Sequence, residues 1–139
     1  MSGGRGLYTP EILAAAMDLT AFPWNDALTL RGVARSRSCG SSIEIALSLD
    51  PDGKIATLGI KPHACAVGQA AASLFARSAV GRDEGDIRGA RQALATWLAS
   101  DGKAPDWPDM ALLDAARSYP ARHGAILLAW DAALDALAK

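Results

Sequence analysis

At 139 residues, half of them apolar, the chain is long enough to bury one core and too short for two ordinary domains. A single domain over residues 1–139 is expected, with residues 1–6 as a flexible tail. The net charge of −1, with ten Arg and four Lys scattered instead of clustered, offers no field for nucleic acid or anionic lipid. The first residues lack a signal peptide's apolar stretch, and no segment has the roughly 18 consecutive apolar residues of a membrane span. A cytoplasmic protein is expected; its two cysteines could form one disulfide, but in a reducing compartment thiols more often stay free or bind metal, and composition alone does not choose among these.

Thr9-Pro10-Glu11 ahead of Ile12, Leu13, Ala16 and Met17 marks a helix start, with Thr9 as cap, Pro10 at the first helical position and Glu11 near the positive dipole end. Phe22-Pro23-Trp24 ends that helix. Leu28 to Arg37 reads as a strand, and Ile43, Ile45, Leu47 and Leu49 alternate with Ser42, Glu44, Ala46 and Ser48 in a second. Asp50-Pro51-Asp52-Gly53 supplies turn chemistry, and Ile55 to Lys61 returns as a third strand, completing an antiparallel meander. From Cys65 to about Ser78 an Ala-, Gly- and Ser-rich helix is expected, its small residues allowing close packing. A loop over Gly81 to Gly85 precedes a helical pattern of Ile87, Ala90, Arg91, Leu94, Trp97 and Leu98 that runs to Asp101-Gly102. Met110 to Ala116 forms a short helical stretch, and Ala121 to Ala138 closes as an amphipathic helix with Ile126, Leu127, Trp130, Leu134 and Leu137. Trp97 and Trp130 fall on the apolar stripes. Strands grouped first and helices after them predict an α+β two-layer fold, a three-stranded antiparallel sheet with helices on one face.

Two thiols sit where chain direction changes. Cys39 lies between strands and is followed by Gly40, which permits a turn and close approach of a ligand. Cys65 precedes a helix, and a thiol at a helix N-terminus meets the positive end of the dipole, which favours the thiolate that binds metal or attacks sulfur. Two histidines complete the inventory: His63 two residues before Cys65, and His123 two before Ala125. Two thiolates and two imidazoles make a reasonable zinc set. If the third strand persists to Cys65, His63 and Cys65 share a face; if Pro62 breaks it, nothing fixes their direction. On a formed helix, positions 123 and 125 point about 200° apart, so His123 replaces a ligand at 125 only if the helix begins later.

Three segments in order, Cys39-Gly40-Ser41-Ser42, Cys65 at the start of an alanine-rich helix, and Tyr119-Pro120-Ala121-Arg122 before the terminal helix, resemble the U-type iron–sulfur cluster assembly scaffolds. The similarity runs from Leu7-Tyr8-Thr9-Pro10-Glu11-Ile12-Leu13 to Leu128-Ala129-Trp130, with the extra stretch over Ile87 to Met110 that marks the longer subclass associated with sulfur utilisation. The housekeeping subclass carries a different, chaperone-read peptide before its last Cys, so no chaperone is implied. What the resemblance implies is transient assembly of an iron–sulfur cluster, or relay of persulfide sulfur, after docking with a cysteine desulfurase. An independent enzyme has least support, since the sequence shows no phosphate loop, no Ser-His-Asp logic placed by spacing and no Gly-rich cofactor fingerprint. Family ligands carry over to Cys39 and Cys65. Ser41 stands at the family's Asp and Ala125 at its third Cys, so iron, zinc or a cluster held by this chain is expected to draw further ligands from His63, His123, a partner or a second copy. A metal-free interaction protein that docks a desulfurase as regulator or decoy is the alternative.

Overall fold

The computed structural model describes residues 8–37, 40–100 and 102–138; the expected tail and Cys39 lie outside them. Thr9 caps α1 (Pro10–Met17) by accepting the Ile12 amide at 3.1 Å, and a 3-10 turn over Asp18–Ala21 ends the segment before Phe22. Three strands follow, β1 (Leu30–Arg35), β2 (Ser42–Leu49) and β3 (Ile55–His63), paired antiparallel in the order β1-β2-β3. Asp50 shapes the β2–β3 turn by accepting the Asp52 and Lys54 amides, and Gly53 takes φ +80° there. The expected alternation puts Ile43, Ile45 and Leu47 in the core, while Ala46, expected on the outer face, is buried as well. Leu49 also departs from the alternation. It is the last residue of β2 and 41% exposed, and the register shifts between Ser48 and Leu49, where β3 carries Ala56 as the extra residue.

Helices α2 (Ala66–Ala79), α3 (Glu84–Ala99) and α4 (His123–Leu137) build the second layer. Asp83 and Asp86 close a capping box that starts α3. Helix α4 lies against β1 and β2, flanked by α2 and α3, and α1 packs on α2. The approach to β1 is so close that a Cβ at Gly32 would stand 2.1 Å from the Ala132 carbonyl, which only glycine permits. The stretch expected as a short helix at Met110 to Ala116 is a longer 3-10 segment, Met110–Ser118, and a separate 3-10 turn, Pro120–Arg122, delays α4 to His123.

Trp97 and Trp130 are buried as their helical stripes predict. Trp107, placed by sequence only between two prolines, is the third core tryptophan. It stacks on Phe75 at 5.6 Å, both rings meet Trp130 edge-on, and its indole N–H donates to the Leu74 carbonyl at 2.9 Å. Arg82 covers its other face at 4.0 Å. The loop thus becomes part of the core. Both sheet edges are also closed: the Ile60 amide donates to the Phe22 carbonyl at 3.0 Å, and the Val33 amide to Asp135 Oδ2 at 2.9 Å.

Candidate functional site

The β1–β2 connection is drawn shut by the Ser36 amide donating to the Ser41 carbonyl at 2.8 Å, directly beyond the Arg35–Ser42 pair. Gly40 has φ +71°, a conformation that suits glycine at this turn. Ser41 is only 5% exposed. Cys39, between these described residues in sequence, lies outside the described set, so its distance to Cys65 is left to experiment.

Strand β3 reaches this same end of the sheet. It continues through Pro62, opposite Ile43, to His63, opposite Ser42. Because the Ile60 amide points away from β2, to the Phe22 carbonyl, the amide position of residue 62 points away from β2 too, and proline there removes no ladder bond. Proline therefore does not break the strand, but the strand stops at His63 and does not run on to Cys65. Cys65 is instead the N-cap of α2, extended at φ −67° and ψ 171°, half-buried, and without a side-chain capping bond. Gln69 binds this turn twice, its amide N–H donating to the Cys65 carbonyl at 2.9 Å and its side chain Nε2 to the Ala64 carbonyl at 2.8 Å.

The third segment arrives through Gly68. A Cβ built on that glycine would lie 3.0 Å from the Ala64 Cβ and 3.4 Å from the Ala125 Cβ, so the first turns of α2 and α4 touch beside the Cys65 turn. Ala125 is fully buried there. Position 125 thus sits next to the turn that carries the second cysteine, and the Ser42–His63 pair brings the loop ending at Ser41 to the same corner. Small residues make the convergence: Gly68, Ala64 and Ala125 leave room for close approach. The sequence reading missed both Gly68 and Gln69; their spacing of three and four from Cys65 was the available signal.

His123 does not meet the condition set for it to replace a ligand at position 125. The helix α4 begins at His123 itself, so positions 123 and 125 diverge. Its Nε2 is 3.0 Å from the Arg117 carbonyl oxygen instead. His63 is an exposed residue at the strand end. Among the described residues no group of three or more His, Cys, Asp or Glu side chains is arranged to hold a metal ion, so His63, Cys65 and His123 do not form one.

The chain is thus a two-layer α+β structure in which the Ser41 turn, the Cys65 turn and position 125 gather at one sheet end. No family profile matches the sequence, and no curated protein matches it. Solved structures do. A NifU-like protein (N-terminal) from Brucella abortus, described as nitrogen-fixing, is 30% identical with a TM-score of 0.84, over 96% of this chain and 93% of that one. A protein from Fervidobacterium islandicum AW-1, assigned as an iron–sulfur cluster assembly scaffold for the SUF system, superposes with a TM-score of 0.81 at 18% identity, over 97% and 99% of the two chains. A hypothetical protein, 18% identical, superposes at 0.67 over 92% and 97%. The chain belongs to the NifU-like N-terminal family and has its U-type scaffold fold.

Proposed function

We propose that this protein is a divergent U-type module that accepts sulfur, and holds iron, zinc or a cluster as transient cargo, through Cys65 and Cys39 after docking with a cysteine desulfurase. The observation carrying this reading is the corner itself: half-buried Cys65 follows Ala64, which meets Gly68 alongside buried Ala125, and the Ser42–His63 pair brings buried Ser41 to the same sheet end. In the sulfur step the Cys65 thiolate attacks the outer sulfur of a donor persulfide, the donor's S–S bond breaks, and the donor leaves as a thiolate. No external oxidant or reductant is required, because the sulfane sulfur moves with its oxidation state conserved. Two thiolates do not fill a four-coordinate site, so further ligands for a metal cargo come from His63, a partner or a second copy of this chain.

A second reading, a metal-free protein that docks the desulfurase as regulator or decoy, is favoured by the burial of non-ligating Ser41 and Ala125 at two family ligand positions. One experiment separates them. The anaerobic protein is incubated with a cysteine desulfurase and free cysteine, and intact mass is recorded for wild type, Cys39→Ser, Cys65→Ser and the double variant. Sulfur adducts on wild type that vanish in the double variant support the first reading. A stable complex with the desulfurase but no adduct and no bound iron or zinc supports the second.

A further inference from the structure

We propose that Gln69 is a positioning residue for Cys65, its side-chain amide clasping the turn that carries the thiol and keeping the thiol half-covered. This rests on the reading of Cys65 as the sulfur-accepting group. Ala64 lies between the last ladder pair of β3 and the first turn of α2, beyond the regular bonding of either element. Its carbonyl receives Gln69 Nε2 at 2.8 Å, while the Gln69 backbone amide takes the next carbonyl, that of Cys65. One residue therefore fixes both carbonyls around the cysteine's own amide.

The setting makes an amide side chain a specific choice. Gln69 lines a recess of about 300 Å³ whose other walls include Leu19, Phe22, Ile60 and Pro62. An apolar side chain of the same length would suit that wall, but only a donor reaches the Ala64 carbonyl. The clasped turn also carries the Ala64 methyl that faces Gly68 and Ala125, and Cys65 packs against the core. Releasing the clasp frees the turn without removing core side chains, so the thiol becomes more accessible.

The test uses a Cys39→Ser chain, in which Cys65 is the only thiol, and follows its disulfide exchange with 4,4′-dithiodipyridine, with neither sulfur donor nor metal present. Gln69→Met keeps the stem and loses the donor; Gln69→Ala loses both; Gln69→Glu replaces the donor by a carboxylate that regains one on protonation. At neutral pH all three should react about fivefold faster than the Gln69 parent, the factor one ordinary hydrogen bond contributes to an equilibrium. As pH falls through about 4.3 the excess rate of Gln69→Glu should shrink while that of Gln69→Met persists. Circular dichroism at each pH checks that the fold is retained. Gln69→Met and Gln69→Glu reacting at the parent rate at neutral pH would overturn the proposal, as would acceleration in Gln69→Ala alone, which reports lost packing. A failure of sulfur transfer from the desulfurase would count against the function proposed above and leave this result standing.

Discussion

Restoring the two absent ligands, Ser41→Asp and Ala125→Cys, should destabilise the metal-free protein and make its stability depend on zinc. Ser41 is 5% exposed, so a carboxylate there is costly when unpaired, about 3 kcal/mol. Burial raises its pKa above the unfolded value. The penalty is therefore absent well below about pH 4, where both states are protonated, and grows as pH rises towards the raised folded pKa. Ala125 is fully buried against Gly68, and one added sulfur atom in that contact should cost about 1–2 kcal/mol, limited by the space the glycine leaves. The metal-free double variant should thus lose about 4–5 kcal/mol in urea unfolding at neutral pH, if the sites act independently. If Cys39 and Cys65 face these positions, zinc at about a thousand times its dissociation constant returns about 4 kcal/mol. The recovery should exceed the sum of the recoveries in the two single variants, because ligands of one metal are coupled. Urea titrations with and without zinc measure each term. A folded double variant whose unfolding midpoint ignores zinc would refute the argument that these positions converge on the cysteines.

Trp130→Ala should cost about 3–5 kcal/mol in the same titration, since it empties the buried space where the indole meets Phe75 and Trp107 edge-on; a loss below about 1 kcal/mol would mean α4 is not packed as described. Asp135→Ala should speed hydrogen exchange at the Val33 amide roughly tenfold while Asp135→Asn, which keeps an acceptor oxygen, has the smaller effect; equal exchange in all three proteins would exclude the edge cap. His123→Ala should leave zinc affinity unchanged and lower stability by about 1 kcal/mol, the worth of its bond to the Arg117 carbonyl; weaker zinc binding in equilibrium competition would make His123 a ligand after all.

Much of the fold is legible because its signals are local. Thr9-Pro10-Glu11 fixes the start of α1, the alternation through Leu47 fixes β2, and Asp50 with Gly53 fixes the turn that returns β3. The departures come from interactions that a local pattern does not contain. Leu49 is exposed at the end of β2, where an extra residue on β3 breaks the register, and β3 outlasts Lys61 because the amide missing at Pro62 falls on the side of β3 away from β2. Trp107 belongs to the core because Phe75 and Leu74, more than thirty residues earlier, receive it. The site was legible as a set of positions, through the resemblance of its three segments. Its geometry was not, since Gly68 matters only once α4 lies against it, and the divergence of positions 123 and 125 depends on where α4 begins.

The contrast between the ligand positions that changed and the cysteine that stayed bears on which activity the corner suits. Holding a cluster calls for enclosure, with several ligands closing around the cargo and keeping water out. Receiving sulfur calls for access, because the donor sulfur, the attacking sulfur and the leaving sulfur must line up across the protein surface. Ser41 and Ala125, the two positions without a strong ligand, are buried, whereas Cys65 is half-exposed at the start of a helix. Loss at the enclosing positions removes holding power first and leaves the accessible thiol on its clasped turn. Under the proposed function this arrangement favours handing sulfur on over building a complete cluster alone, and a metal cargo draws its further ligands from His63, a partner or a second copy of this chain. The sulfur-adduct experiment and the zinc titration examine the two capacities separately, so retention of one does not imply the other.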